Sequence, residues 1–299
     1  MSGLASEDMF TLRNRNGWST WHLLGGALMV GAAVAVAGNA WADILTIARK
    51  DEESSYVFLV PVLMAWLVWV RRGRFRSCRP MGRLLGTVLL AAGWCCWSLG
   101  YRHQVQSLWH GGAVLMLVGG LLTVLGKDVF FKFLPAFVVL AFLVPVPLTG
   151  RQLIALPLQR ATAQVTQSVC EVLGMSVERQ GNLLTINGTE VAIAEACNGM
   201  RMVFALFLAC YAFAFVTPLR AYVRMLILTA SPLVAVVSNV VRLVPTVWMF
   251  GHVSRNAAET FHTVSGWVML VAAFLGLMAI VRVLRWALLP VEEFRLAAT

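Results

Sequence analysis

Three side chains in this 299-residue chain have the chemistry of a thiol acyl-transfer site: Cys197, Arg242 and His262. Cys197 lies in Glu195-Ala196-Cys197-Asn198-Gly199-Met200-Arg201, at the start of an apolar run. There the positive end of a helix backbone and a nearby cation favour the thiolate, the nucleophilic form. The bland alternative is a small buried hydrophobe, which is how Cys95, Cys96 and Cys210, well inside apolar runs, are read. Arg242 is an arginine inside an apolar run, which is costly unless the group is paired or reaches water; a snorkelling arginine is its alternative. Asn239, three residues earlier, can share its helix face. His262 stands in Phe261-His262-Thr263-Val264-Ser265-Gly266-Trp267 and titrates near neutral pH, so it can shuttle a proton or simply sit at a membrane boundary. Arg201, one helical turn after Cys197, is a competing oxyanion partner or a substrate contact. With Glu195, Asn198 and Asn239 it completes the supporting or substrate-binding candidates. No cysteine pair has CxxC spacing with histidine partners, so neither a metal nor any other cofactor is expected.

The elements that must position these groups are membrane helices. The chain is 59% hydrophobic and only 13% charged, far less charged than the roughly 25% of a soluble domain. An ordinary soluble enzyme is excluded, and the expected fold class is an all-α polytopic membrane protein forming one membrane domain, residues 1–299. Eight spans are expected, at about 21–45, 56–71, 83–101, 108–125, 130–147, 197–217, 222–248 and 261–286. A net charge of +10 raises the question of nucleic acid, but the basic residues sort by side instead. With both termini inside, fifteen Lys and Arg fall on inner segments and seven on outer ones, the bias that sets cytoplasmic orientation. No nucleic-acid partner is expected. An alternative for the first span is a cleaved signal peptide, with Ala40-Trp41-Ala42 as the cleavage site.

The long polar break at 148–196 then lies outside. Ile154, Leu158, Ala161, Val165, Val169 and Val172 recur at spacings of three and four among polar residues, which predicts an amphipathic helix along the outer membrane surface. Leu183–Ile186 and Thr189–Ile193, joined by Asn187-Gly188, predict a β-hairpin that delivers the chain to Cys197. In this topology Cys197 begins a descending helix. Arg242, twenty residues into an ascending one, lies roughly 30 Å across. His262 begins the next descent. All three meet at the outer boundary, where a thiol, a proton-transfer group and a permanent cation can serve one site.

At these residues the chain resembles the exosortase and archaeosortase family of membrane cysteine transpeptidases, on its exosortase branch. The resemblance runs through Ser55-Tyr56-Val57-Phe58-Leu59-Val60-Pro61, Leu143-Val144-Pro145-Val146-Pro147, the Glu195–Arg201 segment, Ser238-Asn239-Val240-Val241-Arg242 and His262–Trp267. It implies that Cys197, Arg242 and His262 occupy the family's catalytic Cys, Arg and His positions. Asn198 stands where the family usually has Ser. The implied activity is a cysteine protease or transpeptidase that cleaves a C-terminal sorting signal, of which PEP-CTERM is the familiar type, through a thioester. The implied partners are an exported, membrane-anchored protein substrate, the lipid bilayer and a separate accessory export protein. The implied location is the bacterial inner membrane, with the site on its periplasmic side. The rival readings are a polytopic transporter and a non-catalytic scaffold for export; a transporter site usually lies near the midplane between repeats, and no repeat is evident.

Overall fold

A computed structural model describes residues 18–80, 84–192 and 199–286. It is almost entirely helical, with one small antiparallel sheet. Five helical stretches among the described residues are long and apolar enough to cross a membrane: Glu53–Val70, Leu84–Arg102, Gln106–Leu125, Ala221–His252 and Arg255–Ala279. The polytopic helical class is therefore as expected, but the count of eight spans is not reached. The first expected span divides into α1 (Thr20–Val36) and α2 (Gly38–Lys50), bent by 78° at Ala37; counting this bent pair as one span makes six. The expected span at 130–147 breaks at Phe133, just before Pro135, and ends after Leu143, just before Pro145 and Pro147, residues that cannot donate a backbone hydrogen bond. It becomes α6 (Lys127–Lys132), α7 (Leu134–Leu140) and a 3-10 turn at Ala141–Leu143. The expected span at 197–217 is represented by a short apolar helix, Arg201–Val216.

The chain forms two compact units. Among the described residues the first holds 18–50, 60–80 and 84–145, and includes α1, α2, α3 (Leu59–Val70, from its second residue), α4 (Leu84–Arg102), α5 (Gln106–Leu125), α6 and α7. α4 and α5 are pressed together through glycines. Gly86, Gly93 and Gly100 recur every seven residues, so they share one helix face. A Cβ on Gly86 would lie 2.1 Å from the backbone nitrogen of Thr123, and one on Gly93 2.6 Å from that of Met116. Gly112 and Gly119 answer from α5, at 2.2 Å from Trp97 N and 2.4 Å from Leu90 N. In lipid this close approach is what substitutes for hydrophobic attraction between helices. His110, fully buried on α5, has Nε2 3.0 Å from Asp43 Oδ2 of α2. Its sequence context had offered no partner.

The second unit holds, among the described residues, Asp51–Leu59, 146–192 and 199–286. It comprises a 3-10 segment (Glu52–Phe58), α8 (Leu148–Val172), β1 (Val177–Gln180), β2 (Leu183–Ile186), β3 (Thr189–Ala192), α9 (Gly199–Val216), α10 (Ala221–His252) and α11 (Arg255–Trp286). The expected hairpin is β2–β3. Ile186 pairs with Thr189 across a two-residue turn whose Asn187 and Gly188 have φ of 50° and 76°, the left-handed pair that an Asn-Gly turn supplies cheaply. β1 adds a third strand with Val177 opposite Ile186. The expected amphipathic helix is α8, but its buried face is the small one: Ala155, Thr162, Ala163, Thr166 and Cys170. Val165, Val169 and Val172 stay exposed, as a helix lying on lipid requires. Ala163 and Cys170 pack with Val177, Leu184, Ile186 and Val191 of the sheet and Leu243 and Val247 of α10. A second core joins α9, α10 and α11 around Leu206, Cys210, Ile227 and Leu277.

Candidate active site

α10 carries Arg242 inward. The residue is 5% exposed, and its Nη2 donates to Oδ1 of Asn239 at 3.0 Å, itself 4% exposed. The spacing of three that suggested a shared face thus produces a buried hydrogen bond. That bond fixes the plane of the guanidinium, and a positioned charged donor is suited to stabilise a developing anion. The Thr246 hydroxyl donates to the Arg242 carbonyl at 2.8 Å. Pro245, inside the same helix, cannot donate to the carbonyl one turn earlier.

α11 supplies the opposing surface. A Cβ built on Gly266 would lie 2.7 Å from Arg242 Nη1 and 3.8 Å from Arg201 Nη2. Both guanidinium groups therefore converge on one glycine of α11, one turn beyond the half-buried His262. The Arg201 guanidinium also lies over the Trp267 ring, 5.8 Å from its centroid. On the same helix the Ser265 hydroxyl donates to the His262 backbone carbonyl at 3.0 Å. The structure thus brings together Arg242, Asn239, Arg201 and the face of α11 that carries His262. Cys197, Glu195 and Asn198 lie outside the described residues.

Two expectations about depth change. His262 was expected to begin a span and Arg242 to lie close to the end of one. α10 instead runs on to His252 and α11 starts at Arg255, so Arg242 sits about three turns before the end of its helix and His262 about two turns after the start of its own. The extension of α11 is polar, with an Arg255–Glu259 pair at 2.9 Å, the i,i+4 spacing that supports an exposed helical turn. The extension of α10 is used by the sheet: the Asn187 side-chain amide donates to the Gly251 carbonyl at 3.2 Å, and the Ile186 side chain packs at Gly251. The hairpin is thereby fastened to the far end of the arginine helix.

Several contributors escape a reading of the sequence. Gly266 matters through an absent side chain, and its only signal was its place one turn after a histidine. Arg151 was counted as an outer charge, yet its Nε donates to Glu53 at 3.1 Å and its Nη1 is bonded to Asp51. The described cysteines do not compete as nucleophiles. Cys78, Cys170 and Cys210 are buried and Cys96 is half-buried, while Cys95 is exposed on a spanning helix. Burial pushes the Cys78 and Cys170 thiols up from their ordinary range.

Apolar helices of spanning length, one of them carrying the buried Asn239 and Arg242, define a multi-pass membrane protein. Within that class the chain belongs to the transmembrane exosortase family (Exosortase_EpsH), whose model matches residues 41–279. No curated protein and no solved structure matches it. Membership makes it a membrane transpeptidase in general terms, embedded in a bilayer and directed at a substrate with a sorting signal. That favours the enzymatic reading over the transporter and scaffold alternatives.

Proposed function

We propose that the chain is a cysteine transpeptidase or protease of the bacterial inner membrane. It cleaves a PEP-CTERM-type C-terminal sorting signal from exported proteins at the periplasmic face. The observation that carries this reading is the convergence of the buried Arg242 and of Arg201 on Gly266, on the helix of His262. Four residues before Arg201 the sequence has its cysteine, Cys197.

The Cys197 thiolate attacks the scissile carbonyl carbon, forming a C–S bond and an oxyanion. Arg242 holds that oxygen, because a guanidinium keeps its proton and presents a planar fork of donors. His262 gives its proton to the departing nitrogen as the C–N bond breaks, leaving a thioester. The neutral imidazole then takes a proton from the acceptor, whose attack forms the new acyl bond and returns the thiolate. Water as acceptor gives proteolysis; an amine or hydroxyl gives transfer. Arg201 is a second oxyanion partner or contacts the substrate, and Asn239 fixes Arg242. Glu195 and Asn198 are supporting positions beside the nucleophile. The basic tail of the signal holds the substrate helix with its motif at the outer face, and a separate export protein hands the substrate on.

The test is co-expression with a secreted reporter ending in a PEP-CTERM-type signal. Cys197→Ala is expected to abolish cleavage while the protein remains in the membrane; continued processing would remove the nucleophile. Arg242→Lys keeps the charge but loses the fork, and a fall of about 100-fold is expected from loss of one oxyanion donor geometry.

A further inference from the structure

Two stretches of the sequence, Ser55–Pro61 and Leu143–Pro147, have no chemistry assigned to them, although both belong to the family resemblance. The structure joins them. Arg151, in the first turn of α8 just after Pro147, spreads its guanidinium over two carboxylates at the start of the 3-10 segment. Nε reaches Glu53 Oε2 at 3.1 Å, while Nη1 is bonded to Asp51 Oδ2. Asp51 also accepts the Glu53 backbone N–H at 3.1 Å and the Ser54 hydroxyl at 2.9 Å, so it caps the segment whose entry Arg151 grips. The segment then turns Tyr56 inward. The ring is 4% exposed and stacks on Phe204 of α9, with centroids 4.7 Å apart and planes at 27°. The Tyr56 hydroxyl is in hydrogen-bond contact with the Val146 backbone. Phe204 lies three residues after Arg201, on the same face of α9.

Resting on the function proposed above, we infer that Arg151 and Tyr56 are positioning residues of the reaction. Arg151 fixes the 3-10 segment, Tyr56 braces Phe204, and the braced α9 sets where Arg201 meets Gly266. The chemistry of the clamp makes Arg151 irreplaceable by a simple cation. Two carboxylates are served by different nitrogens of one planar group, which a single ammonium cannot reproduce. Without Arg151, Asp51 and Glu53 become neighbouring like charges at the entrance of the segment and push it open. The bland alternative is that the clamp only helps the unit to fold.

The experiment compares Arg151→Gln, Arg151→Lys, Tyr56→Leu and Tyr56→Phe in membranes, at matched protein levels, with the same reporter. Arg151→Gln and Tyr56→Leu are expected to lower the rate at saturating reporter by about 10-fold or more, since sub-ångström displacement of a reacting group is costly. The reporter level for half-maximal rate should stay within about twofold, because substrate binding is not the step disturbed. Tyr56→Phe keeps the ring stack and should stay close to wild type; Arg151→Lys should fall between. A second readout needs no substrate. Labelling of Cys197 by a membrane-impermeant maleimide should slow in Arg151→Gln, because the cation four residues away is displaced. The inference is overturned if Arg151→Gln, present at normal level, cleaves and labels like wild type, or if Tyr56→Leu matches Tyr56→Phe. If the wild type itself leaves the reporter intact, the proposed activity fails, and the labelling comparison still decides the positioning role.

Discussion

Replacing Gly266 by alanine adds one methyl group and tests the convergence directly. The new Cβ would lie 2.7 Å from Arg242 Nη1, whereas ordinary contact begins near 3.4 Å. The guanidinium must withdraw by roughly 0.7 Å, and displacements approaching 1 Å at a reacting centre cost on the order of 100-fold in rate. It cannot pivot freely, because its other terminal nitrogen is held 3.0 Å from Asn239 Oδ1 within a buried environment. Arg201 Nη2, at 3.8 Å, is already at ordinary contact and need not move. The expected loss in Gly266→Ala is therefore about 30- to 100-fold, or roughly 2 to 2.7 kcal/mol of barrier. Alanine is also the better helix former, by about 1 kcal/mol, so the protein should not lose thermal stability in proportion. The assay is the initial rate of reporter cleavage in membranes, with enzyme level and melting temperature measured in parallel. Gly276→Ala, on the same helix and with no atom within 4 Å of its Cβ, is the control and should be active. A Gly266→Ala enzyme as fast as that control would refute the convergence as the catalytic arrangement.

Other outcomes follow from the same geometry. An impermeant thiol reagent should label Cys197 and almost nothing else: Cys95 and Cys96 lie on the spanning α4, away from water, and Cys78 is fully buried, its sulfur bonded to the Arg74 carbonyl at 3.2 Å, with its thiol pushed up by burial. Labelling that survives Cys197→Ala would contradict this. Gly86→Ala should destabilise the α4–α5 pair by about 2 kcal/mol or more through overpacking, because its Cβ meets backbone at 2.1 Å. Gly111→Ala, with nothing within 4 Å, should be silent, and equal melting temperatures for the two would discount the glycine contact. Burial alone would raise the Asp51 carboxyl, but its bonds to Arg151 and Ser54 outweigh that and hold it below its ordinary 3.8. A depressed carboxylate contributes stability that is present above the unfolded value and lost as pH falls through the folded one. The melting-temperature gap between wild type and Arg151→Gln should hold steady near neutral pH and close as pH falls through the carboxylate range, and for a partly exposed pair it is small. A gap that widens in acid would reverse the sign assigned to the clamp.

The parts of the molecule legible in its sequence are those where a residue type is out of place or a local conformation has one cheap solution. Arg242 and His262 stand out because lipid penalises polar groups, and Asn187-Gly188 because few other pairs accept two positive φ values in succession. Span limits are less legible wherever polar residues extend a helix beyond its apolar run, as at Arg255–Phe261. Proline also fractures apolar runs that hydropathy counts as continuous, as at 130–147. The buried face of α8 was hidden for a different reason. Ala155, Thr162, Ala163 and Thr166 pack because they are small, while the larger apolar stripe that dominates the periodicity faces away. Arg151 was invisible as a clamp because a charge count for topology treats each cation alike, and its partners lie about a hundred positions earlier. Gly266 shows the limit of the approach, since its contribution is a volume left empty for side chains from two other helices.

The fastening of the Asn187 amide to the Gly251 carbonyl makes the hairpin a ruler. One of its ends is pinned to the tip of the arginine helix, and the other leads into the stretch before α9. Because strand side chains alternate between faces, a single residue inserted into β3 would turn Val191 outward and shift everything downstream by one place. The count of residues from Asn187 to Ala192 is thus under tighter restraint than most of their identities, and length changes should be absorbed instead at Gly174 or Gly181, where the chain turns at positive φ and an added Cβ would meet no atom within 4 Å.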